Sequence, residues 1–298
     1  MSSGRCRVAR YRLPITRRAT GNGKRETGND STRSTLHFSD TLSGVNASGL
    51  QLFARYAYPP NQRGYCGPDE ARTLIEYAAT GITDPGLAML ARAFHGPLPY
   101  LTVMAQATGI HDPFDRRLVE AYWVGNPLLE RVDVAAFARV LDDAFRRRMG
   151  GGWGFFEEAI PAGGVPHHSF HVFAVYPWVG MLRGERTEPL EILDRCRIRW
   201  GTVMTVTGET AVVSSQPLQW DGRSLSLGPE RPETVNLGAD GLRLAGEIAP
   251  GDVVSMHWDW VCDRLDRTGL RHLGTYTRRH LEMVNTRLAH SGPAVVLD

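Results

Sequence analysis

Two hydrophobic periodicities follow each other along the chain. In the first part, apolar residues recur every three or four positions, as Leu74, Ile75 and Ala78 do, which is the spacing of amphipathic helices. Aspartate or proline at most of the expected starts, and glycine after Ala79, support the boundaries. The pattern predicts five short helices, over residues 70–79, 84–94, 99–107, 112–124 and 134–148.

After Pro189 the apolar residues alternate with polar ones, which is the pattern of half-buried strands. Strands are predicted over residues 202–206, 210–214, 224–228 and 253–257, and a last helix over 270–289. Several short strands closed by tight turns favour a small barrel of the OB type. The expected fold is α+β, with a helical domain over 49–190 and an OB-like β-barrel with a C-terminal helix over 191–290.

The first 48 residues have neither periodicity. They contain nine arginines and lysines against three acidic residues, and residues 20–34 are almost entirely polar. Such a segment cannot bury enough apolar surface to offset its ordering entropy, so we predict a disordered basic leader over 1–48. No run of about 18 apolar residues exists, which argues against a membrane-spanning helix.

Composition narrows the function classes. With 42% hydrophobic and 22% charged residues the chain is of the globular type, and its net charge of +2 gives no electrostatic reason to expect a nucleic-acid partner. Four cysteines without a CxxC pair and without an export signal indicate a reducing, cytoplasmic location. P-loop, Rossmann, HExxH, GxSxG and EF-hand motifs are absent from the sequence, which disfavours the corresponding enzymes and calcium sensors.

A stretch rich in tyrosine, proline and glycine over residues 56–69 contains Cys66. It is expected to form an ordered loop just before the helix predicted to begin at residue 70. A helix N-terminus lowers the pKa of a nearby thiol, so Cys66 is a candidate metal ligand or redox thiol. The alternative is that Cys66 is a small buried residue without chemistry.

The densest group of histidines and aromatic residues lies in the segment 165–180. His167 and His171 are four residues apart and share a face of a helix, whereas on a strand they share a face with Ser169. In either geometry they are candidate ligands for an ion. The alternative is that both histidines form hydrogen bonds to backbone groups inside a packed core, because a histidine pair without a third spaced ligand is weak evidence of a metal.

Two strings in the C-terminal part are notable together. One reads Cys196-Arg-Ile-Arg-Trp-Gly201-Thr-Val203, and the other contains Gly251-Asp252-x-Val254-x-x-His257. Over residues 194–290 the chain resembles, through this ordered set, the HypC/HupF chaperones of [NiFe]-hydrogenase maturation. Residues 50–290 also resemble an uncharacterised actinobacterial family, through a Gly-Tyr-Cys-Gly-Pro string around Cys66 and the Pro-His-His-Ser-Phe-His string that begins at Pro166.

The HypC-type resemblance implies a role. Those chaperones carry iron with its cyanide and carbonyl ligands, bind a HypD-like scaffold protein and then bind the hydrogenase large-subunit precursor. Their essential cysteine corresponds to Cys196 and their histidine to His257, and a soft thiolate suits iron with such ligands. Here about 195 residues precede the cysteine, which is near the chain terminus in that family. The alternative is that Cys196 merely packs at the start of a strand and His257 faces solvent.

The sequence therefore supports two hypotheses about function. The first is a non-catalytic iron carrier whose candidate ligands are Cys196, His257, Cys66, His167 and His171, with arginines at 195, 197 and 199 holding the Cys196 thiolate. The second is an enzyme in the helical domain, with Cys66 as nucleophile or ligand and His167 or His171 as base.

Overall fold

The computed structural model of the protein describes residues 44–149, 160–184 and 186–290, all of which belong to one compact unit. The predicted disordered leader over 1–48 lies almost entirely outside these residues. Within the described ranges, no helix has the length and apolar character needed to cross a bilayer.

Six α-helices lie within the described residues 44–149. They are α1 (Gly44–Gln62), α2 (Ala71–Thr80), α3 (Pro85–Arg92), α4 (Leu98–Thr108), α5 (Arg116–Trp123) and α6 (Val134–Met149). The five helices predicted from the apolar spacing are confirmed as α2 to α6. Helix α3 shows why its start could be predicted from the sequence. The Asp84 carboxylate accepts a hydrogen bond from the Leu87 N–H at 3.0 Å, and Pro85 occupies the first turn.

Helix α1 corrects the expectation of a loop over 56–69. The chain stays helical to Gln62 although Pro59 and Pro60 lie inside the helix. Phe53 and Tyr56 on this helix are completely buried, so tertiary packing outweighs the loss of backbone hydrogen bonds near the two prolines. Only the segment after Gln62 is a loop.

Three more α-helices lie within residues 160–184 and 186–290. Helix α7 (His168–Phe170) is a single turn that continues into a π-helical turn over His171–Val175, α8 is Glu188–Cys196 and α9 is Arg267–His290. The predicted final helix is confirmed as α9. Cys196 therefore ends a helix, and the first strand begins only three residues later.

The strands are β1 (Arg199–Thr207), β2 (Thr210–Ser215), β3 (Leu218–Trp220), β4 (Leu225–Leu227), β5 (Arg231–Asn236), β6 (Gly238–Ala239), β7 (Leu242–Arg243), β8 (Val253–His257) and β9 (Trp260–Arg264). Five of them close a barrel in the order β1-β2-β5-β9-β8, while β3–β4 and β6–β7 are separate two-stranded sheets. The closure is uneven, because β5 and β9 are joined by the single parallel pair Asn236↔Trp260. The predicted α+β fold is confirmed.

Gly201 explains one position of the Cys-x-x-x-x-Gly-x-Val string. It lies in β1, opposite Ser215 of β2. A Cβ atom on Gly201 would be 2.3 Å from the carbonyl oxygen of Ser214, so no larger residue fits without moving the strand. This position is therefore fixed by barrel closure.

One apolar cluster joins the helices to the outer side of the barrel, while the barrel interior around Val213 and Val254 forms a cluster of its own. Trp260 and Cys262 of β9 belong to the same buried cluster as Phe53 and Trp123 of the helical part. A hydrogen bond of 2.7 Å joins the Tyr56 hydroxyl to the Ser255 hydroxyl across this boundary. The two predicted domains are thus packed tightly enough to build a common site.

Candidate metal centre

Three buried side chains converge where the helical part meets the barrel. One ligand atom each of His168, Cys196 and His257 lies within 4.8 Å of the other two. These residues come from α7, α8 and β8, and their exposed fractions are 5%, 7% and 1%. In the ranges 44–149, 160–184 and 186–290, this is the one group of three such residues with spacing suited to a metal ion.

The end of helix α8 is tied to the end of strand β8. The backbone N–H of Trp258 donates to the carbonyl oxygen of Arg195 at 2.7 Å. Arg195 directly precedes Cys196, and Trp258 directly follows His257. This single bond therefore sets the separation of thiol and imidazole, although 61 positions separate the two residues in the sequence.

The His257 ring has a defined tautomer. Its Nδ1 lies 2.7 Å from the carbonyl oxygen of Tyr56 and must carry the proton, because a carbonyl oxygen only accepts. The lone pair is then on Nε2, which is buried and has no hydrogen-bond partner among the described residues. A backbone carbonyl that fixes one nitrogen and leaves the other free is the usual arrangement of a metal-binding histidine.

The His168 ring is held from both sides. Its Nε2 lies 2.8 Å from the carbonyl oxygen of Cys196, so Nε2 carries the proton and donates. Its Nδ1 then accepts from the Tyr122 hydroxyl at 3.2 Å. Coordination of an ion through either nitrogen would replace one of these two hydrogen bonds.

Burial sets the protonation state of all three groups. It lowers the pKa of His168 to about 4 and the pKa of His257 well below its usual value. It raises the pKa of the Cys196 thiol far above its usual value. At neutral pH the imidazoles are therefore neutral, and the thiol must lose its proton when a metal binds.

The arginines next to Cys196 do not hold a thiolate, contrary to the expectation. Each has a carboxylate partner, in the pairs Arg195–Asp259 at 2.7 Å, Arg197–Asp194 at 2.9 Å and Arg199–Glu233 at 3.0 Å. Because these charges are already compensated, desolvation dominates and the pKa of the thiol rises.

Cys66 lies in the loop after α1, where its carbonyl oxygen accepts from the Asn61 side chain at 2.9 Å. Its thiol is not in the group of atoms within 4.8 Å, although a negative charge on it would raise the pKa of Cys196. Burial raises the pKa of the Cys66 thiol to about 12, so the expected lowering by the helix N-terminus is wrong. Helix α2 begins only at Ala71, too far along the chain to act on this sulfur.

His167 and His171 lie outside the three-residue group. The Nδ1 of His167 is 2.7 Å from the Ser169 hydroxyl, which is in turn 2.7 Å from Nδ1 of His280. His171 has its Nδ1 2.9 Å from the Tyr100 hydroxyl. Burial lowers the pKa of both His167 and His171 to about 3, so both are neutral.

The residue that sequence reasoning missed is His168, which lies between the two candidates. The four-residue spacing favoured His167 and His171, but α7 is a single turn and the following π-helical turn changes the facing of side chains. The contact of His168 with Tyr122 joins residues far apart in sequence. Three consecutive polar residues in an otherwise apolar segment were the one local signal.

Comparison with known proteins gives a family but no chemistry. Residues 45–291 match the model of a family of unknown function, DUF6390, so the chain belongs to that family. No curated protein and no solved structure matches the chain significantly.

Proposed function

For this member of the DUF6390 family, we propose a role as a metal carrier that binds a transition-metal ion through His168, Cys196 and His257 and delivers iron during [NiFe]-hydrogenase assembly. The observation behind the proposal is that Nε2 of His257 is buried and has no hydrogen-bond partner among the described residues, on a ring whose ligand atom lies within 4.8 Å of the Cys196 sulfur. The backbone carbonyl of Cys196 also lies close to this ring. A lone pair buried among other acceptors is costly, by about 1–3 kcal/mol, and a cation would remove that cost.

The donor set narrows the class of ion. Two imidazoles and one thiolate suit iron, zinc, copper or nickel and do not suit magnesium or calcium, which prefer oxygen. Three protein ligands leave room for ligands that the ion brings with it or exchanges. Iron with cyanide and carbonyl ligands is a cargo compatible with this set.

The assignment to hydrogenase assembly rests on the resemblance to HypC/HupF chaperones. The two residues that correspond to the cysteine and histidine of those chaperones, Cys196 and His257, come from different elements and meet in one site. By the same resemblance we propose a HypD-like scaffold and the large-subunit precursor as partners, in the reducing cytoplasm. The alternative enzyme receives less support, because His167 is engaged with Ser169 and not with Cys66.

The first test is metal binding by the full chain, prepared anaerobically and titrated with Co²⁺ as a spectroscopic probe. We expect one ion per chain, and severe loss of binding in Cys196→Ala and His257→Ala. Cys262→Ala and His111→Ala are matched controls, since Cys262 lies in the apolar core and His111 is on the surface. A wild-type chain that binds no ion would overturn the proposal.

The second test concerns the cargo. The chain is co-purified with a HypD-like scaffold and examined by infrared spectroscopy for bound cyanide and carbonyl. We expect both kinds of band in the wild type and neither in Cys196→Ala. Metal binding without these bands in the wild type would contradict the role in hydrogenase assembly while leaving the metal site intact.

A further inference from the structure

The loop over residues 63–68, here called the cover loop, lies against the turn that follows His257. Asn61, at the end of α1, fixes the loop through two hydrogen bonds. Its side-chain amide donates to the carbonyl oxygens of Cys66 at 2.9 Å and Pro68 at 2.6 Å. The segment is therefore ordered by specific bonds from the helix that precedes it.

Two side chains attach the outer part of the cover loop to Trp258. The Tyr65 ring stacks on the indole with a centroid distance of 4.6 Å and an interplanar angle of 17°. The Arg63 guanidinium lies over the same indole at 5.2 Å and forms an ion pair with Asp259. Tyr65 nevertheless remains 44% exposed, so one face of its ring is on the indole and the other is in solvent.

Trp258 is an unusual residue to find at this position. It is the first residue of the two-residue turn between β8 and β9, and its φ angle of +51° is in the region that favours glycine. Its indole Nε1 is buried and finds no hydrogen-bond partner in the part of the chain that the structure describes. Strained backbone conformations are often found at functional sites. Here the strained residue places a flat aromatic ring, on which Tyr65 stacks, directly after a candidate ligand.

Cys66 belongs to the cover loop and is less exposed than Tyr65. It packs against the apolar core, and a negative charge on its sulfur would raise the pKa of Cys196, Tyr122 and Tyr176. Tyr122 is also the hydrogen-bond partner of His168. Cys66 directly follows Tyr65, whose ring stacks on Trp258, and Trp258 directly follows the candidate ligand His257, so the loop carries this cysteine beside the metal centre.

We propose that Cys66 is the fourth ligand of the metal centre and that the cover loop closes over the bound ion, held by Arg63 and Tyr65 on Trp258. The inference rests on the proposed metal site and concerns how the bound ion is retained and released. With Cys66, the donor set becomes two thiolates and two imidazoles, a combination that favours tetrahedral coordination of a divalent ion. Opening of the loop would remove one ligand and expose the ion to a partner.

The binding step releases two protons. Each thiol gives its proton to solvent, and each thiolate donates an electron pair to the ion, while the neutral imidazoles donate lone pairs without releasing a proton. No oxidant or reductant is required. A site with Cys196 as its one sulfur ligand would release a single proton.

The ligand test uses Co²⁺ with the full chain. The near-ultraviolet band from thiolate to cobalt grows with the number of sulfur ligands, so we expect Cys66→Ser to reduce it to about half and to reduce proton release from two to one per ion. Cys262→Ala is the control and should leave both values unchanged. X-ray absorption of the wild-type complex supplies a measurement without any variant, with two sulfur neighbours expected.

The closure test measures transfer of Co²⁺ from the protein to an excess of chelator. Arg63→Ala and Tyr65→Ala should accelerate the transfer by about tenfold, as removal of groups that support a metal site does, with the stoichiometry unchanged. Arg72→Ala is the control, because Arg72 is exposed and pairs with Glu76 and Asp240, away from the turn.

The outcomes separate the two proposals. If the wild type binds no Co²⁺, the metal site itself is wrong. If it binds one ion with a single sulfur neighbour and Cys66→Ser behaves as the wild type, the site stands and the role of Cys66 is overturned. If Cys66→Ser loses half of the band while both loop variants release Co²⁺ at the wild-type rate, the closing function of the loop is overturned.

Discussion

His167 and His168 are neighbours in the chain, but their rings belong to two buried clusters of opposite character. Around His167, donors and acceptors alternate: the Val165 N–H donates to Nε2 of His280, whose Nδ1–H donates to Ser169, whose hydroxyl donates to Nδ1 of His167. The Nε2–H of His167 lies near the Val124 carbonyl oxygen, in a geometry too poor for a standard hydrogen bond.

Around His168 the balance is different. The free lone pair of His257 lies beside a thiol and a carbonyl oxygen, which has already accepted a hydrogen bond from His168. Each cluster leaves one buried ring nitrogen without a partner among the described residues, but in the first it is the N–H of His167 and in the second it is the lone pair of His257, which alone can bind a cation. The difference teaches that buried histidines become candidate metal ligands when acceptors converge, and not because they are buried.

The largest expected effect is a loss of stability in acid, and it involves histidines of both clusters. Burial lowers the pKa of five histidines: His167 and His171 to about 3, His168 to about 4, and His257 and His280 well below their usual value. Because the unfolded chain has histidine pKa values of about 6.5, it binds more protons than the folded protein in acid. Stability is therefore complete above about pH 6.5 and falls as the pH drops toward the folded values.

Between pH 6.5 and 5.5 the free energy of unfolding should fall by about 1 kcal/mol for each buried histidine. Chemical denaturation of the metal-free chain at a series of pH values measures this. An unfolding free energy that stays constant from pH 7 to pH 5 would show that these rings are not buried in the neutral form.

The next effect is on the affinity for Co²⁺, which depends on the cluster around His168 and not on the cluster around His167. His257→Ala removes a ligand and should weaken Co²⁺ binding by at least about 100-fold, the upper end of the loss seen when groups that merely orient ligands are removed. Competition with a chelator gives the dissociation constant. Binding that stays within about threefold of the wild type would exclude His257 from the site.

A smaller effect is on the stability of the metal-free chain, to which the hydrogen-bond network around His167 contributes. Ser169→Ala leaves the two rings on either side without their shared partner and should lower the free energy of unfolding of the metal-free chain by about 2 kcal/mol. Thr277→Val is the matched control: the Thr277 hydroxyl is buried and has no hydrogen-bond partner within residues 44–149, 160–184 and 186–290, so its removal should cost no stability. Equal losses in the two variants would mean that the alternating network adds no stability.

The smallest effect tests the hydrogen bond from the Tyr122 hydroxyl to His168. Tyr122→Phe removes the hydroxyl that donates to Nδ1, so an ion no longer competes with that hydrogen bond. We expect Co²⁺ to bind about threefold more tightly, while the metal-free chain loses about 1 kcal/mol of stability. Weaker binding in this variant would instead assign the Tyr122 hydroxyl to orienting the ring.

Local patterns predicted those parts of the fold that local forces decide. Helix α3 begins where Asp84 and Pro85 place it, and strand β2 alternates between buried and half-buried residues as its sequence does. Helix α1 was missed because Pro59 and Pro60 argue against a helix that tertiary packing nevertheless imposes. Strand β9 was missed because Trp260, Val261 and Cys262 are all buried and show no alternation.

The candidate site was only partly readable for a related reason. The motif resemblance located Cys196 and His257, whereas His168 has no motif and is placed by contacts with Tyr122 and the Cys196 carbonyl. The pKa of Cys66 was predicted in the wrong direction because desolvation cannot be read from neighbours in sequence.

The left-handed backbone of Trp258 has a consequence for any effort to engineer this chain. Glycine would relieve the turn and at the same time remove the ring on which Tyr65 rests. Selection for heat resistance alone would therefore be expected to replace the tryptophan and to yield a more stable protein without the aromatic surface on which the cover loop rests.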